Sequence, residues 1–248
     1  MELPAYLKEI FKSGKINDLE GNERDVGSTV SEAEAVVLMR MVIDTNARNT
    51  LETGVAYGAS AMAMCEALKK YCDHGECHYG VDPNQHSEYG GAALAALKQD
   101  DLDGMFELLE GPSHLMLPLV INKNLMLDCA FVDGWHTFDY TLIDFFLIDK
   151  MLRPGGLIAF HDMNGRAKQK VLGYILSHRE YEVANEYRVA KNESRIRTLK
   201  FFIARIFEQP ALILSWFHWN YQLRNSSGLI VLRKKSNFEP GYTFFKRF

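Results

Sequence analysis

Apolar and polar residues follow two rhythms along this chain, and together they predict strands and helices in alternation. Short apolar runs at Asn49 to Glu52, His78 to Val81, Phe106 to Leu109, Cys129 to Val132 and Leu157 to Phe160 read as buried strands. Between them, stretches with apolar residues three and four positions apart read as helices: Ser31 to Ala47, Ala59 to Tyr71, Gly90 to Leu102, Phe138 to Leu152 and Gly165 to His178. The first helix opens on Ser31 with Glu34 three residues later, the signature of a capping box. The fourth is stopped by Arg153-Pro154-Gly155-Gly156. This order predicts an α/β domain built on a doubly wound, mostly parallel sheet. Beyond Tyr181 the rhythm breaks. Glu182 to Val189 and Gly228 to Arg233 are strand-like, residues 193–224 read as a helical aromatic insertion before the last strand, and 234–248 read as an irregular tail of the same single domain, 1–248.

The composition suits that architecture. A chain of 248 residues, 47% hydrophobic, has enough apolar surface to cover both faces of a sheet. Its net charge of -4 offers no basic field for nucleic acid. Cys65, Cys72, Cys77 and Cys129 fall on predicted helices and strands instead of loops, so they read as reduced. Residues Met1 to Phe11 lack the apolar core of a signal peptide, and a cytoplasmic location is expected. Cys72 to His78 crowds potential zinc ligands into one turn without a distant second pair, which argues against a zinc site. Phe201 to Trp219 is interrupted by Arg205, Glu208, Gln209 and Pro210, against a membrane-spanning helix.

The polar clusters fall at the C-terminal ends of the predicted strands, the edge where parallel sheets bind ligands. Leu51 to Ser60 turns a strand into a helix through Gly54 and Gly58, with Glu52 alongside, so a ligand can approach the backbone beside a helix start. Asp82 closes the second strand, where an acid holds ribose hydroxyls in nucleoside-binding units. Asp133-Gly134-Trp135-His136 closes the fourth and His161-Asp162 the fifth. The third glycine of Gly-x-Gly-x-x-Gly is missing, which points away from a nicotinamide cofactor. Trp135 reads as a pocket wall or packing residue, and Asp144 and Asp149 read as the solvated stripe of an otherwise apolar helix.

Glu52-x-Gly54-x-x-x-Gly58-x-Ser60, the acid Asp82 and the run from Asp133 through Arg153-Pro154-Gly155-Gly156 to His161-Asp162 together resemble a class I S-adenosylmethionine-dependent methyltransferase. Within that superfamily they are similar to a small O-methyltransferase-like group. The resemblance implies a seven-stranded Rossmann-like sheet. It implies S-adenosylmethionine held by Glu52, Gly54, Gly58 and Ser60 at its methionine end, Asp82 at the ribose, Gly111 to Ser113 beside the adenine, and Asp133. The expected reaction is methylation of an oxygen on a small-molecule or sugar-like acceptor, with His136 and His161 as candidate bases and Asp162 beside them. Several relatives hold a divalent cation such as magnesium on carboxylates at these two strand ends. Asp133 and Asp162 match, while His161 stands where some relatives have a further acid, which leaves two oxygen ligands. For the 193–224 insertion three readings compete, an acceptor lid, a homodimer surface and a membrane-resting element, the first two being preferred. Two rival functions are a nicotinamide-dependent oxidoreductase and a binding module that keeps the cofactor fold without catalysis.

Overall fold

Period-two burial decides the layering of the molecule. The computed structural model describes residues 1–163, 165–189, 228–246 and 248. Helix α1 (Ala5–Ser13) and a hairpin of β1 (Lys15–Asn17) and β2 (Glu23–Asp25) precede α2 (Glu32–Asp44), whose cap Ser31 and Glu34 form the expected capping box. Alternation then begins: β3 (Asn49–Thr53), α3 (Ala59–Tyr71), β4 (Cys77–Val81), α4 (Ala92–Gln99), β5 (Phe106–Leu109), α5 (Ser113–Ile121), β6 (Leu127–Val132), α6 (Phe138–Met151), β7 (Leu152–Phe160) and α7 (Arg166–His178). Strands β8 (Tyr181–Val183) and β9 (Ile230–Lys234) complete a seven-stranded sheet of order β5-β4-β3-β6-β7-β9-β8. Strands β3 to β7 are mutually parallel, and β9 runs antiparallel to both β7 and β8. Along β6, Cys129 and Phe131 join the core under α1 to α4, while Ala130 and Val132 join the core under α5 to α7. Both faces are therefore covered, as a parallel sheet requires.

The doubly wound sheet is as expected, and several boundaries move for local reasons. The glycines before α4 adopt φ +60° at Gly90 and +70° at Gly91, so that helix starts only at Ala92. Arg153-Pro154-Gly155-Gly156 stops α6 but itself forms the irregular start of β7, where the register against β6 shifts and Arg153 bonds the Asp128 carboxylate at 2.5 Å. The strand expected over Glu182 to Val189 ends at Val183, because Tyr187 turns inward and donates its hydroxyl to Asp44 at 2.8 Å. Asp144 and Asp149 are buried, contrary to the solvated stripe expected of them. Asp144 accepts from the Thr53 hydroxyl at 2.9 Å, and Asp149 accepts from the Tyr181 hydroxyl at 2.6 Å and faces Lys234. Lys234 accordingly belongs to β9 and not to the tail. The insertion at 193–224 lies outside the described residues. Among those residues no helix is long and apolar enough to cross a membrane.

The β1–β2 hairpin braces the loop between β4 and α4. Leu19 donates its N–H to the Gly90 carbonyl at 3.1 Å, and Arg24 reaches the Glu88 carbonyl at 3.1 Å while its Nε bonds Asp18 at 2.8 Å. The guanidinium of Arg24, with N–H bonds from Asn22 and Glu20, overcomes the burial of Asp18 and lowers its carboxyl from 3.8 to about 2. A carboxyl depressed in the folded state contributes stability above its ordinary value and loses it as the pH falls through the folded one. Urea denaturation should therefore find Asp18→Asn less stable than the unmodified protein at pH 7, with the gap closing between pH 4 and pH 2; a gap independent of pH contradicts this brace.

Candidate active site

The sheet order reverses between β3 and β6, and the crevice outside their carboxyl ends is the binding edge of this architecture. Backbone pairing continues one residue past each strand: Gly54 N–H donates to Val81, Asp133 to Thr53 and His161 to Val132, at 2.8, 2.9 and 3.1 Å. Gly54 has φ +84°, and a Cβ on it would stand 2.2 Å from the Asp133 carbonyl oxygen. Only glycine fits there. Gly58, at φ +82°, lets α4 approach, since its Cβ would meet that of Ala93 at 2.7 Å. Between them Ala56 takes φ +46°, a left-handed conformation costing roughly 1 kcal/mol. One oxygen of Asp82 accepts the Val55 and Ala56 N–H groups at 2.9 and 2.8 Å and so fastens the strained turn, while the other accepts from Asn84 at 2.8 Å.

These elements enclose a cleft of about 760 Å³, within the size range of small-molecule sites. Gly54, Gly58, Ser60 and Tyr57 form one side, Asp82, Asn84, Glu88 and Tyr89 another, and Ser113, Asp133, Trp135, His136, Tyr140 and Asp162 the rest. Tyr57 and Tyr89 meet edge to face at 5.1 Å. Trp135 is 67% exposed, so its ring faces the opening instead of packing inside. Four acids line the cleft and, among the described residues, no lysine or arginine does. The field therefore favours a cationic ligand and opposes a phosphate.

Behind the wall lies a chain of charged groups. The His161 ring is held between two carboxylates, with Nδ1 3.2 Å from Asp133 and Nε2 3.5 Å from Glu34. Burial alone would push its pKa down; the hydrogen bonds and charges of Asp133 and Glu34 outweigh it and raise it to about 10. Both ring nitrogens of His161 thus face carboxylates, so the ring ties α2 to the ends of β6 and β7 and stays off the cleft lining. His136 differs. Burial first, then the neighbouring Lys168, holds it below its ordinary value, so it is neutral near pH 7. Lys168 is itself lowered by burial against the pull of Asp133, Asp162 and Asp144. Its Nζ lies 2.6 Å from His136 Nδ1, and His136 Nε2 lies 3.7 Å from Asp162.

Of the residues singled out by sequence, Gly54, Gly58, Ser60, Asp82, Ser113, Asp133, His136 and Asp162 share the cleft. Glu52 does not. It is fully buried on the α2–α3 side of the sheet, 3.3 Å from His78 Nε2, because period two sends it opposite Leu51. At that distance the pair is an ion-pair contact without hydrogen-bond alignment, and neither Glu52 oxygen has a bonded partner among the described residues. Gly111 also stays off the wall, donating its N–H to the Asp82 carbonyl at 3.2 Å and packing on Met116. Lys168, Asn84, Glu88 and Tyr89 were not anticipated. Nothing in the pattern of α7 separates Lys168 from the neighbouring Lys170.

Asp133, His136 and Asp162 bring ligand atoms within 4.8 Å of one another. Magnesium prefers six oxygens in a near-octahedral array, whereas this set offers two carboxylates and an imidazole. The Asp133 oxygen already faces the His161 cation, Asp162 lies 3.7 Å from the same ring, and Lys168 occupies Nδ1 of His136. The carboxylates are balanced by the chain's own cations, and the set does not fit magnesium.

Comparison with known proteins agrees with this geometry. Residues 51–163 match the family described as a methyltransferase domain. The fold is similar to that of the O-methyltransferase from Bacillus cereus solved in complex with SAH, at 16% identity and TM-score 0.65, covering 95% of this chain and 93% of that one. It is also similar to the O-methyltransferase TomG from Streptomyces achromogenes, involved in tomaymycin synthesis and solved with SAM, at 13% identity and TM-score 0.60, covering 84% and 82%. No curated protein matches the chain in sequence.

Gly54→Ala forces a left-handed alanine against the Asp133 carbonyl. It should cost roughly 1–3 kcal/mol in urea denaturation. An unchanged midpoint would show that the two loops are not in contact.

Proposed function

We propose that the chain is a class I S-adenosylmethionine-dependent methyltransferase, that its cleft binds S-adenosylmethionine and that the methyl group passes to an oxygen of a small-molecule or sugar-like acceptor. The observation that carries this reading is the acid-lined crevice at the β3–β6 reversal, entered by a glycine turn and free of lysine and arginine among the described residues. When bound, S-adenosylmethionine supplies an electrophilic methyl group on a cationic sulfur. Gly54 to Ser60 give the amino-acid end a close backbone approach, and Asp133 and Asp162 offer negative charge to the cation. Asn84, Tyr57, Tyr89 and Ser113 line the same cleft and would hold the nucleoside. A dinucleotide would bring two phosphates against this wall of acids, which disfavours the oxidoreductase reading.

An oxygen acceptor must lose its proton as the new bond forms. His136 is the imidazole on the cleft wall held below its ordinary pKa, and it is the proposed group that takes this proton. His161, as a cation, holds Asp133 in place. The acceptor enters beside Trp135 and Tyr140, whose rings supply an apolar wall. No step in this scheme uses a metal.

Calorimetry should find S-adenosylhomocysteine binding with a Kd on the order of micromolar, unaffected by chelator, and no heat with NAD. His136→Ala should lower turnover by about 10²–10⁴-fold while leaving that affinity in place. Absence of heat with both the methyl donor and its demethylated product would overturn the reading.

A further inference from the structure

The loop between β4 and α4, residues 82–91, is held from two sides. On the cleft side Asn84, Glu88 and Tyr89 line the wall, and the Tyr89 ring meets that of Tyr57 at 5.1 Å. Its own bonds form a tight coil: the Glu88 and Tyr89 N–H groups donate to the Asn84 carbonyl at 2.9 and 3.2 Å, and the Gly91 N–H donates to the Gln85 carbonyl at 2.7 Å. That coil ends on two consecutive left-handed glycines, Gly90 and Gly91, the residues with the most freedom to let it swing. The carbonyls of Glu88 and Gly90 are satisfied from outside, by Arg24 and by the Leu19 N–H, both at 3.1 Å. The fit is close, because a Cβ on Gly90 would meet Arg24 Nη2 at 2.5 Å and one on Gly91 would meet Leu19 Cδ1 at 2.3 Å. Strands β1 and β2 themselves stand outside the cleft lining, and Ser28 to Val30, shortly after them, rejoin it.

We infer that Arg24 is a positioning residue for the nucleoside end of the cleft, holding the 84–91 loop from behind so that Asn84 and Tyr89 stand where the ligand meets them. This rests on the methyl-transfer reading and deepens it. Arg24 suits the task because one guanidinium serves two ends: Nε bonds the Asp18 carboxylate inside the hairpin at 2.8 Å, and Nη1 donates to the Glu88 carbonyl across the gap at 3.1 Å. Asp18 is itself fixed, accepting from the Glu20 and Asn22 N–H groups at 3.0 and 2.9 Å, so the guanidinium is aimed by a bonded turn. A loop that fills its binding-competent position for only part of the time weakens apparent affinity by that fraction. The coupling is reciprocal. A ligand that selects the placed loop also favours the docked hairpin, although β1 and β2 line no part of the cleft.

Hydrogen exchange read by mass spectrometry, with S-adenosylhomocysteine affinity measured by calorimetry on the same samples, tests this. In the unmodified protein the ligand should slow exchange over 84–91 and also over the hairpin, 15–25. Arg24→Ala should weaken binding by about tenfold, speed exchange over 84–91 without the ligand and abolish the ligand's effect on the hairpin, with β3 and β6 exchanging as before. Arg24→Met, which donates to neither acceptor, should behave alike and replaces the alanine variant where that does not fold. Arg24→Lys, which still donates, should recover part of the affinity. Affinity of the alanine or methionine variant within about twofold of the unmodified protein overturns the proposal, as does faster exchange spread evenly over the whole sheet. Failure of the unmodified protein to bind S-adenosylhomocysteine overturns the methyl-transfer reading instead; exchange over 84–91 in the ligand-free variant then decides the brace, faster exchange supporting it and unchanged exchange refuting it.

Discussion

The width of the crevice is set by one close approach, that of the turn after β3 to the turn after β6. A carbonyl oxygen of Asp133 occupies the space where any side chain on residue 54 would begin. With glycine there, the two strand ends pair one residue beyond the sheet, and Asp133 is delivered to the same wall as the Gly54–Ser60 turn. Asp82 secures the other side by accepting two N–H groups from that turn, so the left-handed Ala56 persists. The acid expected to bind a ligand thus first shapes the loop that would bind it.

Electrostatic balance determines what this frame can do. Four acids on a wall without lysine or arginine would repel one another unless compensated from behind, and the chain supplies two basic groups there. His161 lies between Glu34 and Asp133, so α2, through its capping-box residue Glu34, is tied to the cleft edge. Lys168 reaches the site from α7 on the opposite layer. Contributions from both helical layers meet at the β6–β7 ends, which leaves His136 as the neutral nitrogen facing the cleft. The same balance removes the charge deficit that a divalent cation would otherwise fill.

The sheet is legible in the sequence because β3 to β7 are short apolar runs separated by helical periods, and their polar ends mark the binding edge. Helix α5 is not legible, since His114 to Ile121 is apolar nearly all round and offers no period to read. Glu52 misleads because a strand-end acid has two faces to choose between, and only pairing with Gly80 and Phe131 shows that it points into the α2–α3 layer. Asp144 and Asp149 mislead for a related reason: a polar residue on an apolar helix is stable inside when a hydroxyl or a lysine meets it, and those partners lie 32 to 91 residues away in sequence. Lys168 and Glu34 enter the site only through such long-range contacts.

The central claim, that the strand ends β3, β4 and β6 form one cleft for a cationic sulfur nucleoside, is tested most directly by a crystal structure with S-adenosylhomocysteine bound. The account predicts the ligand along residues 54–60, its sulfur between that turn and the Asp133–His136 turn, and its adenosine beside Asp82 and Tyr89. A ligand seated elsewhere on the molecule, with the cleft between Gly54 and Asp133 left empty, would contradict it.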